Sequence, residues 1–175
     1  MAVVPLRLAE SVPDQVRGGT IAVGNFDGVH LGHAALIAAA RNEAGSKQVV
    51  AVTFDPHPLV LLAPERYQPP LTTIAARAQH LHEIGADHVA VLQTTRELLA
   101  LSPEEFFDRI VRSNLQASGM VEGFNFRFGH DRAGSNETLK SLCKGAKMRF
   151  REVAAFERDG RPVSSSLVRN ALNEG

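Results

Sequence analysis

The chain has 175 residues, 44% of them apolar and 22% charged, close to the globular average, so neither disorder nor a membrane protein is indicated. That length suffices for one domain whose core buries roughly 70% of the unfolded chain's surface. The 19 basic and 19 acidic residues cancel, which removes the long-range pull of nonspecific nucleic-acid binders and leaves room for a local anion site.

Met1 to Glu10 mixes apolar and charged residues and lacks the apolar stretch of about 7–15 residues that marks a secretion signal. No apolar run approaches the ~20 residues of a membrane span. Cys143 is the sole cysteine, so an intrachain disulfide is excluded and a reducing, cytoplasmic setting is expected. Thr20 to Val23 is a short β-rich run entering Gly24, and Leu31 to Arg41 reads as an alanine-rich helix. Gln48 to Phe54 is Val-rich throughout, as in a central strand covered on both faces. Asp55 to Pro70 holds Pro56, Pro58, Pro64, Pro69 and Pro70, which predicts a long loop without regular structure. Thr72 or Thr73 caps a helix running to about Ile84, with a left-handed stop at Gly85, and His88 to Leu92 follows as a strand. Ser102, Pro103 and Glu105 form a capping box and open a helix that ends near Asn114. Then come a strand at Ser118 to Glu122, a helix at Ser135 to Lys144, a strand at Met148 to Ala154, a tight turn at Asp159-Gly160 and a final helix from about Ser165.

This alternation predicts an α/β fold, a Rossmann-like doubly wound parallel sheet formed as a single domain, since no repeat or linker divides the chain. Ligands in such sheets sit at strand carboxyl ends, where Gly24, Asp55 and Gly123 fall.

His30 and His33 are three residues apart at a helix start, beside amides that lack intrahelical partners. Two imidazole donors and a helix dipole suit a polyphosphate, with Gly28 and Gly32 expected to keep its approach open. Two rival readings stand beside this one: histidines that merely cap a loop, and a zinc site with Asp27 as third ligand, one short of a tetrahedral protein set. Ser164, Ser165, Ser166 and Arg169 form a second constellation, whose hydroxyls, amides and forked cation could grip β- and γ-phosphates. Serine caps of helices are more often structural.

Gly24 to His33 resembles the histidine-x-glycine-histidine signature of nucleotidyltransferases, and Ser165-Ser166-Leu167-Val168-Arg169 resembles their Ser-Thr-x-x-Arg phosphate motif, with Ser166 replacing the threonine. Asn25 to His30, Thr53-Phe54-Asp55-Pro56-His57-Pro58 and Phe126-Arg127-Phe128-Gly129 resemble, in order, the FMN adenylyltransferase module of bacterial bifunctional riboflavin kinase/FAD synthetases. The likeness runs from about residue 18 to the end. It implies a single FMN adenylyltransferase domain over residues 1–175, without the riboflavin kinase domain that normally follows, in a truncated or single-activity protein.

The resemblance implies AMP transfer from ATP to FMN, with Mg²⁺ as cofactor and His30, His33 and Arg169 as catalytic residues. ATP contacts are expected from Gly24, Asn25, Phe26, Asp27, Gly32, Asn125, Arg127, Ser164, Ser165 and Ser166 as well as from that trio. Flavin contacts are expected from Phe54, Asp55, Pro56, His57 and Pro58, with Phe106 and Phe128 completing the wall, while Phe54 and Phe106 have a second reading as ordinary core. Asp27 either holds Mg²⁺ or fixes its loop by accepting amide hydrogen bonds. Arg127 and His57 each have a bland reading too, as a solvated cation and as a ring held by prolines. Neither nucleic acid nor membrane is an expected partner, whereas flavin-dependent apoproteins receiving FAD are, and the oligomeric state is unassigned. The rival functions are a nucleotidyltransferase for another acceptor, such as a pantetheine or nicotinamide mononucleotide, and a flavin- or nucleotide-binding module without activity. An aminoacyl-tRNA synthetase fragment shares the histidine signature, but neutral charge and the flavin-type motifs oppose RNA binding.

Overall fold

Six parallel strands carry the molecule, in the order β1-β4-β3-β2-β5-β6. The computed structural model describes residues 2–158 and 160–174. The strands are β1 (Ala2–Leu6), β2 (Thr20–Val23), β3 (Val49–Asp55), β4 (His88–Gln93), β5 (Gly119–Gly123) and β6 (Arg149–Val153). Helices α1 (Leu31–Ala44), α3 (Ile74–Glu83) and α6 (Asn136–Gly145) are the longer crossovers, and α7 (Ser165–Glu174) closes the chain. A short antiparallel pair, β7 (Glu157–Arg158) and β8 (Arg161–Pro162), precedes α7, while Asp159 of the expected Asp159-Gly160 turn lies outside the described residues.

Alternation along the central strands feeds two apolar layers. Ile21, Val23, Val50, Val52, Ala90, Leu92 and Met120 face one layer, which α6 and the Phe106 to Leu115 helix cover. Ala22, Val49, Ala51, Val89 and Val121 face the other, packed by Leu36, Ile37 and Ala40 of α1 and by Ala78 and Leu81 of α3. Both faces are covered, as the Val-rich run of β3 predicts.

Helix starts follow their expected caps. Thr73 Oγ1 accepts from Ala76 N at 3.2 Å, and Ser102 and Glu105 bond reciprocally, with Glu105 N to Ser102 Oγ at 3.1 Å and Ser102 N to Glu105 Oε2 at 2.8 Å. That helix begins as α5 (Pro103–Phe106) and continues through Phe107–Asn114 with wider, π-type turns.

Four elements depart from expectation. β1 is an edge strand that pairs with β4, and Pro5 is tolerated in it because a strand bonded on one side only has no use for every N–H. The Pro-rich segment, expected to be irregular, contains α2 (Leu59–Leu62), preceded by Pro58, and a 3-10 turn opening on Pro64. A proline at the start of a turn loses nothing, because that amide has no helical partner. A further turn, α4 (Arg96–Leu99), is capped by Thr95.

The sheet order reverses at β2, with β3, β4 and β1 on one side and β5 and β6 on the other. β2 and β5 pair at Thr20 with Gly119 and at Ile21 with Met120, and then Val23 N donates to the Glu122 carboxyl at 2.9 Å instead of to a β5 carbonyl. A side chain thus holds the strands together where they part, beneath the Gly24 loop. Glu122 is fully buried, and burial pushes its carboxyl well above the ordinary range, opposed only by the Val23 amide. A group whose folded pKa is raised supplies stability below its unfolded pKa and loses it as pH rises toward the folded value. Glu122→Gln should therefore match the parent near pH 4 and exceed it increasingly at higher pH, by up to ~1.4 kcal/mol per pH unit within that window. Urea unfolding at pH 4.5 and 8 checks this; an advantage that does not grow with pH would contradict it.

Candidate active site

The loop from Gly24 to His30 is a tight crossover held in uncommon backbone. Phe26, Gly28 and Val29 have φ of 50°, 77° and 38°. Left-handed Phe and Val are strained, and surrounding bonds must hold them. The Phe26 ring is 1% exposed in the α1 layer, Thr53 Oγ1 donates to Asn25 O at 2.9 Å, and Gly24 N donates to Val52 O at 3.0 Å. Phe26, expected at the nucleotide, is therefore a core anchor through its side chain.

Asp27 is the most heavily bonded group in the loop. Its Oδ1 accepts from Thr72 N and Thr72 Oγ1, both at 3.1 Å, and from Arg77 at 3.2 Å. Its Oδ2 accepts from Leu71 N at 2.9 Å and Arg169 at 2.5 Å. Burial pushes this carboxyl up, but the Leu71 and Thr72 amides, the Thr72 hydroxyl and Arg77 together bring it below the ordinary range. Of the two roles left open for Asp27, this bonding is that of the loop-fixing carboxylate.

The two histidines stack at the start of α1, ring centroids 3.7 Å apart and 16° from parallel. His33 Nδ1 accepts from His30 N at 3.3 Å, which assigns the ring's proton to Nε2. Burial, with smaller contributions from His30 and Arg77 against Asp27, brings His33 down to about 3, and burial lowers His30 as well. Both rings are therefore neutral at pH 7, each carrying a single N–H. The protein itself crowds Gly32 and Gly28, and the φ of 77° at Gly28 favours glycine in addition. A Cβ at Gly32 would lie 3.1 Å from the His30 ring, and one at Gly28 would lie 2.9 Å from Leu71 Cδ1.

A cavity of about 580 Å³ opens beside Asp27 at the carboxyl ends of β2 and β3. Phe54, Pro56, Tyr67 and Pro70 give it an apolar and aromatic lining, and Arg66, Arg77 and Arg169 bring three guanidiniums to it. Asn25, Asp55, His57, Ser165 and Ser166 line it as expected; His30 and His33 adjoin it rather than line it. Burial lowers the His57 ring, whose Nδ1 accepts from Leu59 N at 3.1 Å. Arg66, Tyr67, Thr72 and Arg77 were not singled out as site residues in the sequence, since an arginine among alanines on a helix carries no mark of the face it turns inward.

Several expected contacts are placed elsewhere. Phe106 and Phe128 pack together in the core, centroids 5.9 Å apart, 6% and 7% exposed, so they do not form the wall of this cavity. Asn125 and Arg127 line a second hollow, of about 660 Å³, with Phe124 and Asn136. Ser164 Oγ accepts from Leu167 N at 3.2 Å and so caps α7. Ser165 Oγ donates to Asp27 O at 2.9 Å, joining the two sequence motifs directly. Arg169 bonds Pro69 O at 2.6 Å as well as Asp27.

Among the described residues no group of three or more His, Cys, Asp or Glu side chains converges as a metal site, and Asp27 already accepts five bonds. These residues do not fit a resident metal, zinc included. Among the described residues no helix is long and apolar enough to cross a membrane.

Residues 12–167 match the family model described as FAD synthetase. The bifunctional riboflavin kinase/FMN adenylyltransferase of Listeria monocytogenes is 35% identical over 164 residues, covering 89% of this chain and 50% of the relative. The chain likewise spans about half the length of the bifunctional riboflavin kinase/FMN adenylyltransferases of Pseudomonas fluorescens and Escherichia coli. Among solved structures, a protein from Streptococcus pneumoniae described as a macrolide-efflux protein aligns with TM-score 0.85 at 25% identity, covering 98% of this chain and 56% of that one. Pantothenate synthetase from Thermus thermophilus aligns with TM-score 0.62 at 19% identity, covering 96% and 67%, which bears on the fold alone.

Removing the Asp27 charge should expose how much depends on it. Asp27→Asn leaves Arg77, 5% exposed, without its counter-ion, and should lower stability by about 3–5 kcal/mol. Denaturant unfolding measures it; a loss below ~1 kcal/mol would mean that the carboxylate is not the clasp described.

Proposed function

We infer that this chain, which belongs to the FAD synthetase family, transfers AMP from ATP to FMN, giving FAD and pyrophosphate. The observation that carries the reading is the cavity in which a Phe54, Pro56 and Tyr67 lining meets three guanidiniums beside the His30–His33 pair. An aromatic ring system bearing a phosphate needs both halves of such a site.

Flavin would lie along Phe54 to Pro58, where Pro58 precedes α2 and holds the loop without lining the cavity. The triphosphate would lie along the Gly24 to His33 loop and the Ser165, Ser166 and Arg169 face of α7. Asn125 and Arg127, in the second hollow, would take the far end of the nucleotide. An FMN phosphate oxygen attacks the α-phosphorus in line; the new P–O bond forms as the bond to the β-phosphate bridge breaks, and its electrons leave on pyrophosphate. A phosphate monoester with second pKa near ~6 is already anionic at pH 7, so no general base is needed. The chain's part is to position the reactants and stabilise charge, with His30 and His33 as neutral donors and Arg169 as a forked cation. Mg²⁺ would arrive on ATP as part of the substrate, its ligands supplied by phosphates and water. ATP and FMN in the cytoplasm, with flavin-dependent apoproteins taking up the product, complete the reading.

His30→Ala and His33→Ala should each lower turnover on the order of a hundredfold, the usual cost of deleting one preorganised donor. Mass analysis of products from MgATP with FMN, phosphopantetheine or nicotinamide mononucleotide tests the acceptor. FAD from FMN alone is expected. Adenylation of another acceptor but not FMN, or flavin binding without turnover, would overturn the reading, whereas near-normal FAD formation by both histidine variants would overturn the role given to His30 and His33.

A further inference from the structure

Asp27 is shared by two guanidiniums that differ in every other respect. Arg77 is 5% exposed, and its other donors go to Thr53 Oγ1 at 3.1 Å, Thr72 O at 3.2 Å and Thr72 Oγ1 at 3.5 Å. Arg169 has a side chain 21% exposed at the cavity rim, and its other bond goes to the Pro69 carbonyl. One cation is built in, and the other sits where a ligand can reach it.

Both terminal nitrogens of Arg169 are engaged, one by Pro69 O and the other by Asp27, so turning that end of the fork onto a phosphate as a bidentate pair loosens its bond to Asp27. A buried carboxylate left without a counter-ion is costly, so that exchange requires a second cation that stays behind. We propose that Arg77 is a positioning residue of the site, the resident counter-ion of Asp27 that lets Arg169 exchange between this carboxylate and a phosphate of the nucleotide. The proposal rests on the reading of Arg169 as a phosphate ligand.

The charges balance on both sides of the exchange. Before it, two guanidiniums share one carboxylate; after it, Arg77 and Asp27 remain as a neutral pair while Arg169 pairs with phosphate, and no buried charge is orphaned. The loop keeps its shape meanwhile. Thr53 stays bonded between Arg77 and Asn25 O, Leu71 N and Thr72 stay on Asp27, and Ser165 Oγ stays on Asp27 O, one helical turn before Arg169. Only the bonds of Arg169, including the one to Pro69 in the Pro-rich segment, need to change.

Calorimetric titration of MgATP into the parent, Arg77→Met, Arg169→Ala and the double variant tests this, with thermal melts confirming that each is folded. Arg77→Met should weaken MgATP by about tenfold while Arg169 is present, because Asp27 then keeps Arg169 as its sole counter-ion. In the Arg169→Ala background the same substitution should change affinity by less than about twofold. Arg77→Lys, which keeps the charge, should restore binding to within about threefold of the parent. Should Arg77→Met fail to fold, Arg77→Gln enters the same cycle and should behave as predicted for methionine. Equal losses from Arg77→Met in both backgrounds, or none in either, overturn the exchange, and a lysine as weak as methionine overturns the counter-ion role. An Arg169→Ala variant that binds MgATP as tightly as the parent removes the phosphate role of Arg169 itself, and the exchange with it, a pattern distinct from additive losses.

Discussion

A buried carboxylate between two guanidiniums is the constraint on which this site depends. Asp27 accepts from the backbone of the segment leading into α3, from Arg77 on α3 and from Arg169 on α7, while its own carbonyl accepts from Ser165. Elements separated by more than a hundred residues of chain thus meet on one residue. A buried charge tolerates no half measures, since each donor removed leaves it further from compensation. Specificity of arrangement, more than net stability, is what such a cluster contributes here: it fixes where α7 begins relative to α1, and hence where the two sequence motifs face each other.

The sheet sets the stage for that cluster by parting at its reversal point. β2 and β5 share ladder bonds at their amino ends only, and the Glu122 carboxyl takes over at Val23. A neutral acid in an apolar layer can accept one amide bond at little electrostatic cost, whereas an ionised one could not be buried there. The crevice thus opens without leaving the Val23 amide unpaired, and the Gly24 loop drops into it with Phe26 as its apolar anchor.

The fold was legible where period and caps agree: the Val- and Ile-rich central strands, the Ser102–Glu105 box and the Thr73 cap need no tertiary information to be read. The edge strand β1 was not, because Pro5 argues against a strand until the chain is known to bond on one side only. Of the site, the short motifs were readable since they cluster in sequence, but their internal division of labour was not. Phe26, Phe106 and Phe128 look like ligand contacts in a motif and prove to be core, because an aromatic carries no sign of which side of a sheet it will cover. Arg77 shows the converse: its importance lies in the burial of its partner, and burial is a property of the assembled layers rather than of the local sequence.

The electrostatics of the two ends of the site are complementary. His33 is held neutral chiefly by burial, with His30 and Arg77 adding to that, so the helix start offers donors without cationic charge. Two protonated rings stacked at 3.7 Å would repel each other, so the stack disfavours the doubly charged pair, in keeping with the burial that lowers both rings. Positive charge is instead concentrated on guanidiniums, which stay charged at any working pH and offer forked donors. A polyanion entering this cleft therefore meets fixed hydrogen-bond donors on one side and, on the other, a cation whose present counter-ion is already satisfied by a second arginine, so drawing it away leaves the buried carboxylate compensated.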